Sequence, residues 1–274
     1  MHAGSEVVRV RPGELPVDPS VGIGPAIEFV EVHKRFGDNQ VLDGLSMQIP
    51  EGKISMIMGP SGTGKSVCIN HIVGLMFPDA GNVLIEGESV PGMTLPRLRE
   101  MRRQKLGVLF QDGALFSSMS LFDNVAFPLR QMTTLTSQEI AEIVMRRLAD
   151  VGLSQAVHSH PGELSGGMRK RAGFARALVM DPHIVLFDEP DSGLDPVRCA
   201  LLCELIQEVH NHSGGTYVVV THDMLSARRI GEYIALLWCG KVVEQGSAQQ
   251  VFNSENEFTR QFFSGDAIGP LGMG

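Results

Sequence analysis

The apolar positions of this chain follow two periods, one typical of strands and one typical of helices. Short apolar runs bounded by Gly, Pro or charged residues predict strands at 27–32, 41–49, 53–58, 83–86, 106–110, 184–188, 217–220 and 233–238. Apolar residues at helical spacing predict helices at about 65–75, 140–151 and 197–209. Strands that alternate with helices favour a mostly parallel sheet covered on both faces, which is the α/β class.

The rest of the chain divides into segments of different character. Residues 1–25 are rich in Gly and Pro and predict a disordered leader without a secretory signal. One folded region should span 26–246, and its segment 120–160 is predicted to be entirely helical, as an insertion beside the sheet. Residues 247–274 form a tail whose Phe residues predict two short helices. These helices pack either on the folded region or on a second subunit.

Composition and charge exclude several classes of protein. The chain has 274 residues, of which 43% are hydrophobic and 20% charged, and its net charge of -8 opposes a broad nucleic-acid footprint. A membrane span needs about 20 consecutive apolar residues, whereas runs such as 234–239 have the length of strands. The cysteines Cys68, Cys199, Cys203 and Cys239 lie in apolar stretches, so we expect reduced core residues in a cytoplasmic protein.

A glycine-rich turn follows the predicted strand at 53–58 and precedes a helix. It matches the pattern GxxxxGK[ST] with Gly59, Pro60, Ser61, Gly62, Thr63, Gly64, Lys65 and Ser66. Backbone N–H groups of such a loop turn inward around phosphates, and the helix N-terminus adds partial positive charge. We therefore expect Lys65 to reach the β- and γ-phosphate oxygens and Ser66 to offer its hydroxyl to Mg²⁺.

Two adjacent carboxylates end the predicted strand at 184–188. Open α/β sheets bind ligands at the carboxyl ends of their strands, so Asp188 is expected in the Mg²⁺ shell. Glu189 is one residue further on, where it can orient or deprotonate an attacking water, which every phosphoryl hydrolase must assign to some residue.

A second helix start suited to anions lies far along the chain. The run Leu164-Ser165-Gly166-Gly167-Met168 is followed by Arg169-Lys170-Arg171 and a helix. If each of two copies offers its Lys65 loop and the other copy's Ser165 loop to one ATP, the nucleotide joins a head-to-tail pair with two-fold symmetry.

With these motifs the chain resembles the ATP-binding cassette (ABC) family over about 27–246. The remaining motifs follow in the family's order, with Gln111 as the Q-loop, 192–195 as the D-loop, His222 as the switch histidine and Phe36 as the adenine-stacking aromatic. The resemblance implies a P-loop NTPase ABC ATPase domain at 26–246. Its parts would be a mostly parallel RecA-like sheet core, an antiparallel β subdomain and a helical subdomain insertion at about 112–172.

The resemblance also implies roles for individual residues. Gln111 would lie near Mg²⁺ and the attacking water, and His222 would contact the γ-phosphate. The opposing subunit would supply Ser165, Gly166 and Gly167, and Asp195 would brace the dimer interface. The chain departs from the common pattern at Met168, where many cassettes have Gln, and at Phe36 in place of Tyr. Neither change removes a group that the chemistry needs, so we expect ATP hydrolysis with ATP and Mg²⁺.

Several stretches narrow the resemblance to ATPases of lipid transporters built on mammalian-cell-entry (Mce) domain proteins, including the Mla-type phospholipid system. They are 108–130, 166–172, 189–196, 260–263 and 268–273. This implies a homodimeric cytoplasmic motor, peripheral on the inner face of the plasma membrane. It would drive transmembrane permease subunits and, through them, Mce-domain proteins, with phospholipid, fatty acid or sterol as cargo and no nucleic acid.

Two alternatives stay open at this point. A cassette ATPase can regulate a membrane cell-division complex without transport, and only the Mce-like stretches argue against that function here. An ATPase acting on DNA or ribosomes is disfavoured, because too few residues separate Gln111 from Leu164 for a long coiled coil and the net charge is negative.

Overall fold

A computed structural model describes residues 24–271, so most of the predicted leader and the end of the tail lie outside the described residues. The strands are β1 (Pro25–Phe36), β2 (Asn39–Pro50), β3 (Ile54–Met58), β4 (Ala80–Ile85), β5 (Glu88–Ser89), β6 (Leu106–Leu109), β7 (Ile184–Asp188), β8 (Thr216–Val220), β9 (Tyr233–Trp238) and β10 (Lys241–Ser247). The helices are α1 (Lys65–Val73), α2 (Leu95–Lys105), α3 (Leu121–Met132), α4 (Ser137–Asp150), α5 (Gly166–Leu178), α6 (Pro196–Ser213), α7 (Met224–Ile230), α8 (Ala248–Phe252) and α9 (Glu257–Ser264).

A six-stranded sheet forms the centre of the molecule, in the order β10-β9-β3-β8-β7-β6. Its pairs are parallel except for the antiparallel edge pair of β9 and β10. Every residue of β3 and β8 is buried, as expected for apolar strands covered on both faces. Because β3, β8 and β7 are neighbours, the segments that follow these three strands meet at one edge of the sheet.

A second, antiparallel sheet has the order β2-β1-β4-β5. It adjoins the first sheet through β2, where Asp43 N donates to Gly240 O at 3.0 Å and Gln48 N donates to the Gln245 side chain at 3.2 Å. Its buried face packs on α1 in a separate hydrophobic cluster. The parallel core and the antiparallel sheet agree with the fold that the family resemblance implied.

The predicted helical insertion consists of two helices and a loop. Ser120 caps α3, and α4 begins with a capping box in which Thr136 and Glu139 bond to each other's backbone. The prediction of an entirely helical segment 120–160 is wrong at 133–136, which form a loop, and after residue 150. Gly152 adopts a left-handed conformation with φ of 66°, which ends the helix, and only short 3₁₀ turns follow.

Helix α2 carries a run of basic residues whose partners lie in β5, in the turn before it and at the end of α1. Arg97 binds Glu88 and Lys105 binds Glu86 across the surface. Arg102 instead donates to the carbonyls of Val73 and Gly74 at 2.7 Å each. It thereby satisfies the C-terminal carbonyls of α1, as cations near a helix end commonly do.

The described part of the tail forms two short helices that pack on the folded region. Rings of Phe252 and Phe263 meet edge to face at 4.9 Å, and the guanidinium of Arg228 lies 4.4 Å from the Phe252 ring. Thr259 donates to Glu244 of β10 at 2.5 Å. The two predicted helices are therefore present. Within one chain they pack on the folded region, which was one of the two predicted arrangements.

The prediction of four core cysteines is only partly right. Cys68 and Cys203 are buried, Cys199 is intermediate and Cys239 is exposed. Cys239 lies in the turn between β9 and β10 with φ of 47°, so its place is set by the turn rather than by the apolar run before it. No helix within residues 24–271 has both the length and the apolar character needed to cross a membrane.

Phe174 of α5 is central to the packing between the helices and the sheet. It is 0% exposed, and its ring centroid lies 5.1 Å from that of Phe187 on β7. We expect Phe174→Ala to lower the free energy of unfolding by about 3–5 kcal/mol, because it removes apolar contacts and leaves a cavity. Phe77→Ala is the control, since Phe77 is 42% exposed. Denaturant titration measures both, and equal losses would contradict this packing role.

Candidate nucleotide-binding site

The loop at 59–64 joins β3 to α1 and depends on glycine at two close contacts. A Cβ on Gly59 would lie 2.3 Å from Leu237 O, and one on Gly64 would lie 2.8 Å from the Leu42 side chain. Gly64 also has φ of 96°, where side chains are disfavoured. These glycines let the loop pack tightly against β9 and β2. The loop then leads directly into the N-terminus of α1.

Lys65 is buried within this loop. Its ammonium donates to the carbonyls of Gly59 and Pro60 at 2.8 Å each. Burial lowers the pKa of Lys65, while the nearby carboxylates of Glu189 and Asp188 oppose that shift. The loop thus holds a desolvated cation against the end of β7, which suits the capture of a polyanion such as a triphosphate.

Ser66 and Asp188 meet where Mg²⁺ was predicted. Ser66 Oγ donates to Asp188 Oδ1 at 2.9 Å, and burial raises the pKa of Asp188. Within residues 24–271 no cluster of three or more His, Cys, Asp or Glu side chains is arranged to hold a metal ion. Two hard oxygen donors nevertheless fit Mg²⁺, which in nucleotide sites takes one or two protein ligands together with phosphate oxygens and water.

Glu189 and His222 come together at the ends of β7 and β8. His222 Nδ1 lies 3.6 Å from Glu189 Oε1. Glu189 N donates to Val220 O at 2.9 Å, and the residue has φ of 47°, a left-handed conformation that is uncommon outside glycine. Gln111, which follows β6, reaches this region through a 3.1 Å hydrogen bond from its amide to Ser192 Oγ.

Ser165 caps the N-terminus of α5 and accepts from Met168 N at 3.3 Å. No acidic side chain lies in the first turn of α5. Ser165 and Gly167 line a cavity with residues of α4 and α6, and no residue of the loop at 59–64 lines it. The two predicted phosphate-binding helix starts therefore face different surroundings in one chain.

Phe36 and Asp195 occupy exposed positions at the ends of elements. Phe36 ends β1, is 45% exposed, and has the ammonium of Lys34 at 5.8 Å from its ring centroid. Asp195 caps α6, accepting from Val197 N at 3.1 Å and Arg198 N at 3.0 Å. Both side chains are accessible to a ligand or partner, and Asp195 has a capping role that its motif did not predict.

Two residues near the site were not predicted to belong to it. Both are buried: Lys170 donates from α5 to Pro190 O, and Asp191, which lies within the turn at 189–192, accepts from Thr221 Oγ1. The spacing along α5 could have indicated that Lys170 is buried. Gly173 and Phe174, three and four residues further on, lie on the buried face of the helix. In the sequence, Lys170 stands out only as part of the basic run Arg169-Lys170-Arg171.

Comparisons with known proteins agree with this geometry. A sequence profile described as ABC transporter matches residues 42–192. The probable ribonucleotide transport ATP-binding protein mkl of Mycobacterium leprae is 45% identical over 256 residues, which cover 93% of this chain and 74% of the relative. The intermembrane phospholipid transport system ATP-binding protein MlaF of Escherichia coli is 42% identical, over 89% of this chain and 91% of the relative.

Solved structures show the same fold. The ATP-binding cassette MJ0796, in a dimeric post-hydrolysis state bound to ADP and Pi, has a TM-score of 0.75 and 31% identity over 82% of this chain and 99% of the other. The cbiO1 protein of Clostridium perfringens has a TM-score of 0.77 and 28% identity, over 85% and 92%. The fold and the loop geometry define a P-loop ATPase of the α/β class. The profile match over more than half of the sequence shows further that the chain belongs to the ABC transporter family.

Lys65 provides the test of nucleotide capture. We expect Lys65→Ala to weaken ATP binding by about 10- to 100-fold or beyond detection, because the phosphates lose a charged hydrogen-bond donor. Lys105→Ala is the control, because Lys105 ends α2 and forms an ion pair with Glu86 instead of contacting the loop at 59–64. Titration with a fluorescent ATP analogue measures both affinities. Unchanged affinity of Lys65→Ala would refute the assignment of the phosphate loop.

Proposed function

We propose that this ABC ATPase is the motor subunit of a lipid transporter of the Mce type, acting as a homodimer beneath transmembrane permease subunits. The observation that carries the motor function is that Ser165 lines a cavity to which the Lys65 loop contributes no residue. A second copy can bring its Ser165 loop to the nucleotide, so ATP binding closes the pair and hydrolysis reopens it. The dimeric MJ0796 cassette supports this arrangement.

Phe36 would stack on adenine, and the loop from Gly59 to Ser66 would hold the phosphates. Ser66, Asp188 and Gln111 would hold Mg²⁺, which when bound neutralises charge on the phosphate oxygens. The partner copy would add Ser165, Gly166 and Gly167, and Asp195 would brace the interface. The exposure of Phe36 and the Ser66–Asp188 contact support these roles.

Glu189 would perform the step that defines the enzyme. Its carboxylate orients a water molecule and accepts its proton as the water oxygen attacks the γ-phosphorus and the bond to the ADP oxygen breaks. His222 would contact the γ-phosphate from the neighbouring strand end, and their 3.6 Å separation supports a joint site. Gln111 would complete the surroundings of the water.

The cargo is a proposal that rests on sequence likeness. The two relatives are named for different cargoes, ribonucleotides for mkl and phospholipids for MlaF. The stretch at 108–130 and the tail resemble Mce-type lipid transporter ATPases, which favours phospholipid, fatty acid or sterol. Permease and Mce-domain partners would place this chain peripherally on the cytoplasmic face of the plasma membrane, where lipid is handled by the partners.

Ser165 tests the dimer. We expect Ser165→Arg to leave ATP binding by one chain intact and to prevent ATP-dependent dimerisation, because a long side chain replaces the small cap that must approach a phosphate. Size-exclusion chromatography with light scattering, in the Glu189→Gln background, measures the dimer. Ser137→Arg is the control, because Ser137 is exposed and begins α4 at the opposite end of that helix from Asp150, which lines the cavity with Ser165. A dimer that survives the change at Ser165 would disprove the nucleotide sandwich.

Glu189→Gln tests hydrolysis and identifies the partners. This variant should bind ATP and remain as a closed dimer, with turnover lowered about 100-fold or more. Normal turnover would mean that another group positions the water. The tagged variant is trapped with ATP in its native membranes, purified, and its proteins, lipids and nucleotides are identified by mass spectrometry, with Lys65→Ala as the control that cannot be trapped.

The outcomes of that purification separate the candidate functions. A permease with Mce-domain proteins and enriched lipid would support the proposal. Enriched ribonucleotides other than the trapping nucleotide would favour the cargo named for the mkl relative. Division proteins, ribosomes or DNA would overturn the transport function and leave the ATPase chemistry intact.

A further inference from the structure

A buried ammonium group contacts the backbone of the turn that contains Glu189. Lys170 of α5 is only 6% exposed. Its ammonium donates to Glu189 O at 3.4 Å, to Pro190 O at 2.7 Å, and to Ser192 O. A lysine ammonium has three N–H donors, so all of its hydrogen-bonding capacity goes to one short stretch of backbone.

That stretch contains the residue that the proposed chemistry depends on. Glu189 has φ of 47°, and a residue other than glycine stays in this conformation only where its surroundings over-determine it. Two backbone bonds contribute, from Glu189 N to Val220 O at 2.9 Å and from Ser192 N to Glu189 O at 3.1 Å. Lys170 supplies the contacts from the side of α5.

Asp191 lies within the turn, and its side chain ties the turn to the segment that follows β8. Its Oδ2 accepts from Thr221 Oγ1 at 2.9 Å, and the same hydroxyl accepts from Asp223 N at 2.8 Å. These bonds therefore fix the residues on either side of His222. Burial lowers the pKa of Lys170 and raises that of Asp191, and the charge of Asp191 favours the ammonium form of Lys170. Lys170 therefore holds the turn to α5, and Asp191 holds it to the segment that follows β8.

Helix α5 links this turn to both other parts of the site. It begins at Ser165, which is expected to meet the partner's nucleotide. Near its other end Arg176 donates to Gly113 O at 3.0 Å and Ala114 O at 2.8 Å, just after Gln111. This one helix thus begins at Ser165, contacts the backbone that follows Gln111 and, through Lys170, contacts the backbone of Glu189.

We infer that Lys170 is a positioning residue for ATP hydrolysis. It ties the helix that starts at Ser165 to the backbone that carries Glu189, so that a nucleotide held at Ser165 fixes the orientation of the carboxylate. This inference rests on the proposed role of Glu189. A lysine that only stabilised the fold would lower thermal stability without changing the rate per folded molecule.

The test compares Lys170→Met with Arg102→Met in the full-length chain purified with its membrane partners. Both changes remove a cation that binds backbone carbonyls, but Arg102 binds those of Val73 and Gly74, remote from the turn. We expect Lys170→Met to keep KM for ATP and nucleotide affinity within about twofold while kcat falls roughly 10- to 100-fold. Arg102→Met should keep kcat, and Lys170→Arg should recover part of the rate.

A second comparison uses the Glu189→Gln background. If Lys170 acts only through Glu189, Lys170→Met should cause little further loss of rate there, because residues that act as a unit are not additive. An equal loss in both backgrounds, or a wild-type kcat in folded Lys170→Met, would overturn the inference. Lys170→Gln replaces Lys170→Met if the latter does not fold. An inactive wild-type complex would instead overturn the hydrolytic function on which the inference rests.

Discussion

The adjacency of β3, β8 and β7 in one parallel sheet is the constraint on which the site depends. The register pairs Ile57 with Val220, and Val220 with Asp188, so three strands end at the same level. The phosphate loop, the Asp188–Glu189 pair and His222 follow those ends directly. Because parallel strands point the same way, residues more than 120 positions apart meet, as in the 2.9 Å bond between Ser66 and Asp188.

That adjacency concentrates charge at one edge of an apolar sheet. Burial opposes the charged forms of Lys65, Asp188, Lys170 and Asp191. The two lysines bind backbone carbonyls, Asp188 accepts from the Ser66 hydroxyl, and Oδ2 of Asp191 accepts from the Thr221 hydroxyl, while the buried Oδ1 of Asp191 has no hydrogen-bond partner among the described residues. Buried charges without such partners would cost several kcal/mol each. The edge is therefore arranged before ATP arrives, which limits the reorganisation that catalysis requires.

The sequence predicted those parts of the structure that local patterns determine. Buried strands such as β3 and β8 are unbroken apolar runs, and the phosphate loop is recognisable because its glycines and Lys65 have fixed spacing. By contrast, β10 is an edge strand with polar residues and no apolar run, so nothing local marked it. The helix after 137 was extended too far because Gly152 acts through a left-handed turn. Lys170 was missed because its partners are backbone carbonyls about twenty residues away.

The contacts of α5 explain why the helix start at Ser165 and the backbone of Glu189 would move together. A Cβ on Gly173 would lie 2.9 Å from Gly113 Cα, so the helix approaches the Q-loop backbone as closely as only glycine permits. Such a tightly packed helix transmits a displacement instead of absorbing it. If a partner's ATP moves Ser165, the turn that holds Glu189 must follow or its hydrogen bonds must break. In the proposed nucleotide sandwich, coupling between the two halves of the site would therefore follow from packing within each chain.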